Sequence, residues 1–248
     1  MKLSVSSFEN LIPLDNSRVT AITIEDIHFY AKLVRSFFAE CSGNDSEISI
    51  FLIDDKEKRV RLESCCELIL DPLLIDFSSK RFSNALIGLL KKELINDVEA
   101  SVEITQKLNE IQDMVVSLLD DFGLPIIVDS AWDASKLVKG LSISIDGETE
   151  MKTQLEILLR FLQVVGDLKI SSYYIFVGLK KVLCEDEINI FYKEALQRQV
   201  QVICVDQSTD IPTRNEFALS FHVDKDYDEV IIPTDTTDVN QLFHYFEF

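Results

Sequence analysis

Residues 173–206 read YYIFVGLKKVLCEDEINIFYKEALQRQVQVICVD. The unbroken apolar run at 173–177 is typical of a strand in the middle of a parallel sheet. Three acidic residues at 185–187 then open a helical pattern over 185–196, where negative charge suits the helix dipole. A second apolar run follows at 200–205. This order predicts a strand–helix–strand unit with a right-handed crossover, and therefore an α/β protein.

The same alternation is found at both ends of the chain. Short strands are predicted at 2–7, 11–14, 18–24, 46–54 and 66–70 in the N-terminal part, and near 217–223 and 230–232 in the C-terminal part, before a short C-terminal helix. A helix is predicted at 27–41, because Phe29, Leu33 and Phe37 recur every four residues.

From residue 79 the pattern changes to long helices. One has an apolar face from Phe82 to Leu94, and the next has one from Ile104 to Leu119 and ends at Gly123. Their short polar link predicts an antiparallel pair. A short helix at 133–139, a strand at 141–145 and a helix at 148–165 are predicted to follow. We therefore expect an α/β head domain, residues 1–78 and 150–248, interrupted by a helical insertion at 79–149.

Composition limits the classes of function. The chain has 248 residues, 47% of them hydrophobic, so it can bury a core. Its 24 basic and 43 acidic residues give a net charge of −19, which on its face excludes a generically basic nucleic-acid binder. We expect no membrane span and no signal peptide. Five cysteines without a C-x-x-C pair are interpreted as reduced thiols of a cytoplasmic protein.

Phosphate-binding and catalytic motifs are missing where an α/β sheet would carry them. The first strand–helix junction, at 25–28, reads EDIH, with no glycine and no lysine, and the junction at 178–181 reads GLKK, with one glycine. We therefore expect no nucleotide and no ATP hydrolysis. His28, His222 and His244 lie far apart in the sequence and are interpreted as ordinary surface or core histidines. The prediction is a protein that is not an enzyme.

Acidic residues cluster at the end of the second long helix and after it: Asp113, Asp120, Asp121 and Asp129. Carboxylates are the ligands that Ca²⁺ prefers, so this cluster is a candidate calcium site. The spacing is not that of an EF-hand, and in a chain with 43 acidic residues chance clustering is the competing explanation.

Basic residues are segregated from the acidic ones. The candidates for a DNA-binding surface are Lys80, Arg81, Lys91, Lys92, Lys136 and Lys139. Residues 80–100 contain four basic and three acidic side chains, whereas the chain from residue 206 onward contains ten acidic and two basic ones. A solvated helix face explains any one lysine pair, but segregation would let an acidic protein hold a phosphate backbone at one surface.

Several ordered segments together carry a resemblance. A hairpin precedes the strand ending in Glu25-Asp26, and the helix after it contains KLVRSFF at 32–38. The sequences DASKLVKGLSISID at 133–146 and LEILLRFLQVV at 155–165 then lead into the 173–206 stretch. This chain resembles the Csn-two family of type II-A CRISPR-associated proteins up to about residue 232. The resemblance rests on the order of elements and on hydrophobic patterning, because the family has no catalytic signature.

The resemblance implies a degenerate P-loop-ATPase-like head sheet with an α-helical leg. It also implies homotetrameric rings that hold double-stranded DNA, preferentially by its ends, and that calcium stabilises. Such proteins act in spacer acquisition with the Cas integrase proteins and the Cas nuclease, without an established catalytic activity. Asp113, Asp121 and Asp129, with Asp120 beside them, fall at or near acidic positions of the family's calcium region, although residues 122–127 are apolar here.

Of the basic candidates, only Lys139 matches a lysine in the corresponding family helix; the other five rest on the charge argument alone. Two other classes of function stay open. One is a metal-dependent nuclease or phosphohydrolase that uses the carboxylates between Asp113 and Asp129. The other is a protein-only scaffold whose acidic surface binds a basic nuclease or integrase subunit.

Overall fold

The computed structural model describes residues 1–119, 133–146 and 152–232. The chain divides into two compact units: Met1–Ile75 together with Glu150–Phe248, and Asp76–Thr149. The expected limits of the helical insertion in the head domain, residues 79 and 149, stay a prediction. Within the described residues, no helix is long and apolar enough to cross a membrane.

The described residues of the first unit form ten strands and three of the α-helices. In its N-terminal part these are β1 (Lys2–Val5), β2 (Ile12–Pro13), β3 (Val19–Ile24), α1 (Ile27–Cys41), β4 (Ile50–Ile53), β5 (Arg59–Arg61) and β6 (Cys66–Ile69). The second unit follows with α2 (Lys80–Asn96), α3 (Val98–Leu119) and α4 (Ala134–Gly140). The chain then returns to the first unit with α5 (Gln154–Leu168), β7 (Tyr173–Val177), α6 (Glu185–Gln197), β8 (Gln201–Gln207), β9 (Ala218–Val223) and β10 (Glu229–Ile232).

The central sheet of the first unit has the strand order β10-β9-β3-β8-β7-β6. Strands β9, β3, β8, β7 and β6 are parallel, and β10 is antiparallel to β9. The strand predicted at 173–177 lies between β8 and β6, which confirms its internal position. Strands β7 and β8 are parallel neighbours joined through α6, so the predicted strand–helix–strand unit is confirmed as well.

The two faces of this sheet have separate cores. On one face Ile22, Val205 and Phe221 belong to a cluster with Leu33 and Phe37 of α1. On the other face Phe176 makes edge-to-face contacts with Phe161 of α5 and Phe191 of α6, with ring centroids 5.7 Å and 5.2 Å apart. Such aromatic pairs add stability beyond the area they bury. A sheet buried on both faces explains why its central strands are apolar without alternation.

A second, smaller sheet contains strands that were predicted at 2–7, 11–14 and 46–54, but their pairing into a separate sheet was not expected from the sequence. It is antiparallel, with the order β2-β1-β4-β5, and it contributes Leu3, Ile12 and Ile50 to the core that α1 shares. Only β5 (Arg59–Arg61) had not been predicted as a strand, because three residues are too few for a period-two pattern to stand out.

Two predicted elements differ from the structure. Residues 141–145 form no strand: Leu141 and Ile143 are exposed, and neither belongs to a sheet. The helix predicted at 148–165 begins only at Gln154, because Thr153 caps it. The Thr153 hydroxyl accepts the N–H of Glu156, and the Glu156 carboxylate accepts the N–H of Thr153. Residues 120–123 of the second long helix and the predicted C-terminal helix lie outside the described residues.

Candidate nucleic-acid interface

Four of the six predicted DNA-binding residues lie on one face of α2. Lys80 and Lys91 are 11 residues apart, about three helical turns, so their side chains leave the helix in nearly the same direction. The same holds for Arg81 and Lys92. The two basic pairs are therefore about 16 Å apart along the helix axis. A Cβ built on Gly88, on the same face, would meet no atom within 4 Å, so no bulky group stands between the pairs.

The opposite face of α2 fixes this orientation. Phe82 is buried and stacks on Phe77, with ring centroids 5.6 Å apart. Leu86, Leu90 and Leu94 are half-buried, and α2 packs against both α3 and α4. Burial of this apolar stripe turns the basic residues outward: Lys80, Lys91 and Lys92 are exposed, and Arg81 is half-buried. The helix propensities of the residues in α2 would not by themselves decide which face of this helix is buried.

The remaining two basic candidates, Lys136 and Lys139, are exposed on α4. Asp133 caps this short helix, and its carboxylate accepts the N–H of Lys136 at 2.8 Å. That backbone hydrogen bond lowers the pKa of Asp133, and the positive charges of Lys91 and Lys136 lower it further. Lys91 on α2 and Lys136 on α4 therefore both lie within electrostatic reach of the Asp133 carboxylate, at the place where α2 packs against α4.

The predicted calcium ligands are described only in part. Asp113 is exposed on α3, whereas Asp120, Asp121 and Asp129 lie outside the described residues. Among the residues that the structure does describe, no group of three or more His, Cys, Asp or Glu side chains could hold a metal ion. The calcium site therefore stays a prediction.

The carboxyl edge of the parallel strands in the first unit is where open α/β sheets bind ligands. At this edge a side chain of the protein itself accepts a free backbone N–H group at the start of α1. Asp26 caps α1 by accepting the N–H of Phe29 at 2.6 Å. A phosphate at this helix N-terminus would compete with that carboxylate and would be repelled by it. This contact gives the physical reason why the EDIH junction is unsuited to a nucleotide phosphate.

Sequence reasoning missed a buried polar row beside this edge. Thr23 on β3 is in register with His222 on β9 and with Asp206 on β8, and all three side chains are buried. The Asp206 carboxylate accepts the N–H of Lys180 at 2.9 Å. Burial raises the pKa of Asp206, and the hydrogen bond from Lys180 opposes the rise. The sequence feature that could have indicated this row is Asp206, an acidic residue at the end of the apolar strand VQVICVD.

Taken together, these features define an α/β protein in which Asp26 caps the helix at the carboxyl edge of the sheet. A separate helical unit has a basic face. Residues 43–227 match the family described as CRISPR-associated protein (Cas_Csn2), and the chain belongs to this family. It is also 26% identical over 220 residues to the "CRISPR-associated protein Csn2" of Streptococcus agalactiae. That match covers 87% of this chain and 91% of the relative. The family expected from the resemblance is thereby confirmed.

Proposed function

We propose that this protein is a non-catalytic double-stranded DNA-binding protein of CRISPR spacer acquisition, a cytoplasmic antiviral defence. The observation that supports this proposal is the basic face of α2. It has two basic pairs three turns apart that point the same way, and of these residues Lys80, Lys91 and Lys92 are exposed. Family membership supplies the CRISPR context. Lysine and arginine at this spacing suit a phosphate backbone, which is contacted without regard to base sequence.

The net charge of −19 makes a single chain a poor partner for DNA. We therefore propose a homotetrameric ring in which several copies turn their basic faces toward one central hole, where positive potential is concentrated. DNA enters such a ring by its ends. Calcium held by Asp113, Asp120, Asp121 and Asp129 would reduce repulsion among the acidic subunits. The Cas nuclease and the integrase proteins are the proposed protein partners.

The head sheet is proposed to be a degenerate P-loop-ATPase-like sheet that binds no nucleotide. Two observations support this. The EDIH junction after β3 has no glycine or lysine, and Asp26 occupies the helix N-terminus that would otherwise receive phosphate. The proposal of a protein without enzymatic activity rests on the absence of a catalytic motif from the sequence.

The decisive experiment compares a linear duplex with the same sequence as covalently closed circular DNA, in gel-shift assays with and without calcium. We expect binding to the linear DNA alone, together with a tetrameric mass by light scattering. Equal binding to both forms, or no binding to either at low salt, would contradict the DNA-end proposal.

Two further outcomes would replace the proposal. A monomer without DNA affinity that binds the nuclease or integrase tightly would identify a protein-only scaffold, for which the acidic surface is the supporting observation. DNA or nucleotide turnover with magnesium or manganese, abolished by Asp121→Ala, would identify a metal-dependent nuclease or phosphohydrolase.

A further inference from the structure

The small sheet differs in charge from the rest of this acidic protein. The strands β1, β2, β4 and β5 contain no aspartate or glutamate, although the chain has 43 acidic residues. Leu52 of β4 is buried in the core, and Val60 of β5 packs against the same core. Because side chains alternate along a strand, Arg59 and Arg61 lie on the opposite, outer face, and both are exposed. The outer face of β5 is therefore basic.

Neighbouring groups hold the two guanidinium groups of β5 in place. The guanidinium carbon of Arg59 lies 4.3 Å from the centre of the Phe51 ring, in a cation–π contact. Arg61 Nη1 lies 3.2 Å from Glu63 Oε1, and Arg61 Nη2 donates to the carbonyl of Gly43 at 3.4 Å. The Arg61 side chain is 65% exposed, so this ion pair is weak. Because a guanidinium has five N–H donors, Arg61 can still bind a further carboxylate.

The backbone of β5 is unpaired along one side. In the described part of the chain, β5 lies at the edge of the small sheet and pairs with β4 alone. The Asp54 N–H donates to the carbonyl of Lys58 at 3.0 Å, and this contact sets the alternation of the ladder, so Val60 forms the hydrogen-bonded pair with β4. The N–H groups of Arg59 and Arg61 and the carbonyl of Arg59 therefore point away from β4. Within the described residues, none of the three has a backbone partner.

We propose that β5 is a docking edge for an acidic, extended segment of a partner protein, which adds a strand to the small sheet. Main-chain hydrogen bonds to Arg59 and Arg61 provide affinity, and the alternating side chains provide specificity. In the added strand every second side chain lies on the outer face, about 5 Å from its neighbour on β5. Carboxylates two positions apart therefore meet the two guanidinium groups. The inference does not depend on DNA binding.

An extended peptide fits this edge better than a nucleic acid does. The phosphate groups of a nucleic-acid backbone are hydrogen-bond acceptors, so they would leave the carbonyl of Arg59 without a donor. A peptide strand offers both donors and acceptors at the spacing of the ladder. Because β5 has only three residues, few main-chain hydrogen bonds form, and the carboxylates decide which peptide binds.

The test uses the intact chain and the synthetic peptide acetyl-TEVEVT-amide. In hydrogen exchange followed by NMR, we expect the peptide to slow exchange of the Arg59 and Arg61 amides several-fold and to leave the Val60 amide, which is already hydrogen-bonded, nearly unchanged. The peptide acetyl-TQVQVT-amide should bind about tenfold more weakly. In Arg59→Gln/Arg61→Gln the preference for glutamate is lost. The control Lys56→Gln/Lys58→Gln removes the same charge from the turn of this hairpin and retains the preference.

One substitution separates main-chain pairing from charge. Arg61 has a φ of −72°, which proline adopts without strain, and its N–H points to the open edge. Arg61→Pro and Arg61→Gln remove the same charge, but only the proline variant lacks the N–H donor. We therefore expect Arg61→Pro to bind acetyl-TEVEVT-amide several-fold more weakly than Arg61→Gln. Circular dichroism and thermal unfolding of both variants check that they fold alike.

Four results overturn the proposal. Equal affinities of Arg61→Pro and Arg61→Gln would show that the peptide does not pair with the main chain of β5. Equal binding of the glutamate and glutamine peptides would show that charge does not select the partner. An absence of peptide binding, with protection of the Arg59 and Arg61 amides by DNA instead, would assign the surface to a nucleic acid. Protection of these amides that rises with protein concentration, without peptide, would assign the edge to a second copy of the chain.

Discussion

The side chains of the half-buried Glu25 and the buried His222 form a pair that joins the carboxyl ends of β3 and β9. Glu25 Oε1 and His222 Nε2 lie 3.1 Å apart, and the histidine side chain is only 4% exposed. His222 Nδ1 has no hydrogen-bond partner in the described part of the chain. In the neutral tautomer that donates the Nε2–H to Glu25, Nδ1 is an acceptor without a donor. The contact with Glu25 is therefore the interaction that compensates for burial of the imidazole.

Removing one member of this pair should destabilise the first unit. His222→Ala leaves the Glu25 carboxylate without its donor and creates a cavity, so we expect a loss of about 1–3 kcal/mol in the free energy of unfolding. Urea denaturation measures it. In the double-mutant cycle of Glu25→Gln with His222→Ala, we expect the two changes to be non-additive. Additive effects would show that the 3.1 Å contact contributes nothing.

The stability of the protein should depend on pH through Asp206. Burial raises the pKa of this carboxyl above its ordinary value of 3.8, so the folded protein holds the proton more tightly than the unfolded chain does. The contribution of Asp206 to stability is thus fully present below pH 3.8 and is lost as pH rises through the higher native pKa. In Asp206→Asn, whose side chain still accepts the N–H of Lys180, this loss is absent.

The measurement is urea unfolding of both proteins between pH 3.5 and 8. We expect Asp206→Asn to be the more stable protein at neutral pH, with the advantage shrinking toward acid. A variant that is less stable than the unaltered protein across this range would contradict the assignment and would indicate that the ionised carboxylate is required by the Lys180 contact.

The parts of the fold that could be predicted are those in which one interaction dominates. Helix α1 was predicted with its observed limits, because its apolar spacing and its Asp26 cap agree. The strand at 173–177 was predicted equally well, because burial on both faces leaves an unbroken apolar run. Three strands of the small sheet were predicted, but their pairing into a separate sheet could not be, because it joins residues as distant as Val5 and Ile50.

In the candidate site, too, some features could be predicted from the sequence and others could not. Helical periodicity places Lys80 and Lys91 on one face of α2, so this part follows from spacing alone. The proximity of Lys91 to α4 depends on tertiary packing, which no local pattern reports. The row formed by Thr23, Asp206 and His222 likewise depends on strand register, which joins residues about 180 to 200 positions apart in the chain.

The five cysteines should differ sharply in reactivity. Cys184 is exposed, whereas Cys66 and Cys204 are buried. Burial raises the pKa of the Cys41 thiol to about 12 and raises the pKa of the Cys66 and Cys204 thiols as well. Because the thiolate is the reactive form, we expect Cys184 to react first with an aromatic disulfide reagent at pH 8. Loss of the fast phase in Cys184→Ser confirms the assignment; a fast phase that persists contradicts it.

The capping box at Thr153 sets where α5 begins, and its removal should lower the free energy of unfolding. In Thr153→Ala the N–H of Glu156 loses its acceptor, so we expect the free energy of unfolding to fall by about 1 kcal/mol. Thr153→Ser retains the hydroxyl oxygen and serves as the control, with a change of a few tenths of a kcal/mol. Equal losses in the two variants would show that the methyl group of the threonine, rather than its hydroxyl, supports the helix.

The basic face of α2 should determine the salt dependence of DNA binding. Each lysine that neutralises a phosphate of duplex DNA contributes about 0.9 to the slope of log K against log salt concentration. For Lys80→Gln/Lys91→Gln/Lys92→Gln we therefore expect the slope to become less steep by about 2.7. We also expect weaker binding at low salt and no change in sequence preference. Fluorescence anisotropy with a labelled linear duplex measures both quantities.

The matched control for that experiment removes the same charge elsewhere. Lys107, Lys193 and Lys225 are exposed, and none of them lies on α2; Lys107 lies 3.6 Å from Glu110 in an ion pair. Their replacement by glutamine changes the net charge equally, so a general electrostatic effect would alter the slope to the same extent in both triple variants. A fall of the slope in the α2 variant alone locates the phosphate contacts on this helix. Equal falls would show that DNA responds only to net charge, and the α2 interface would have to be abandoned.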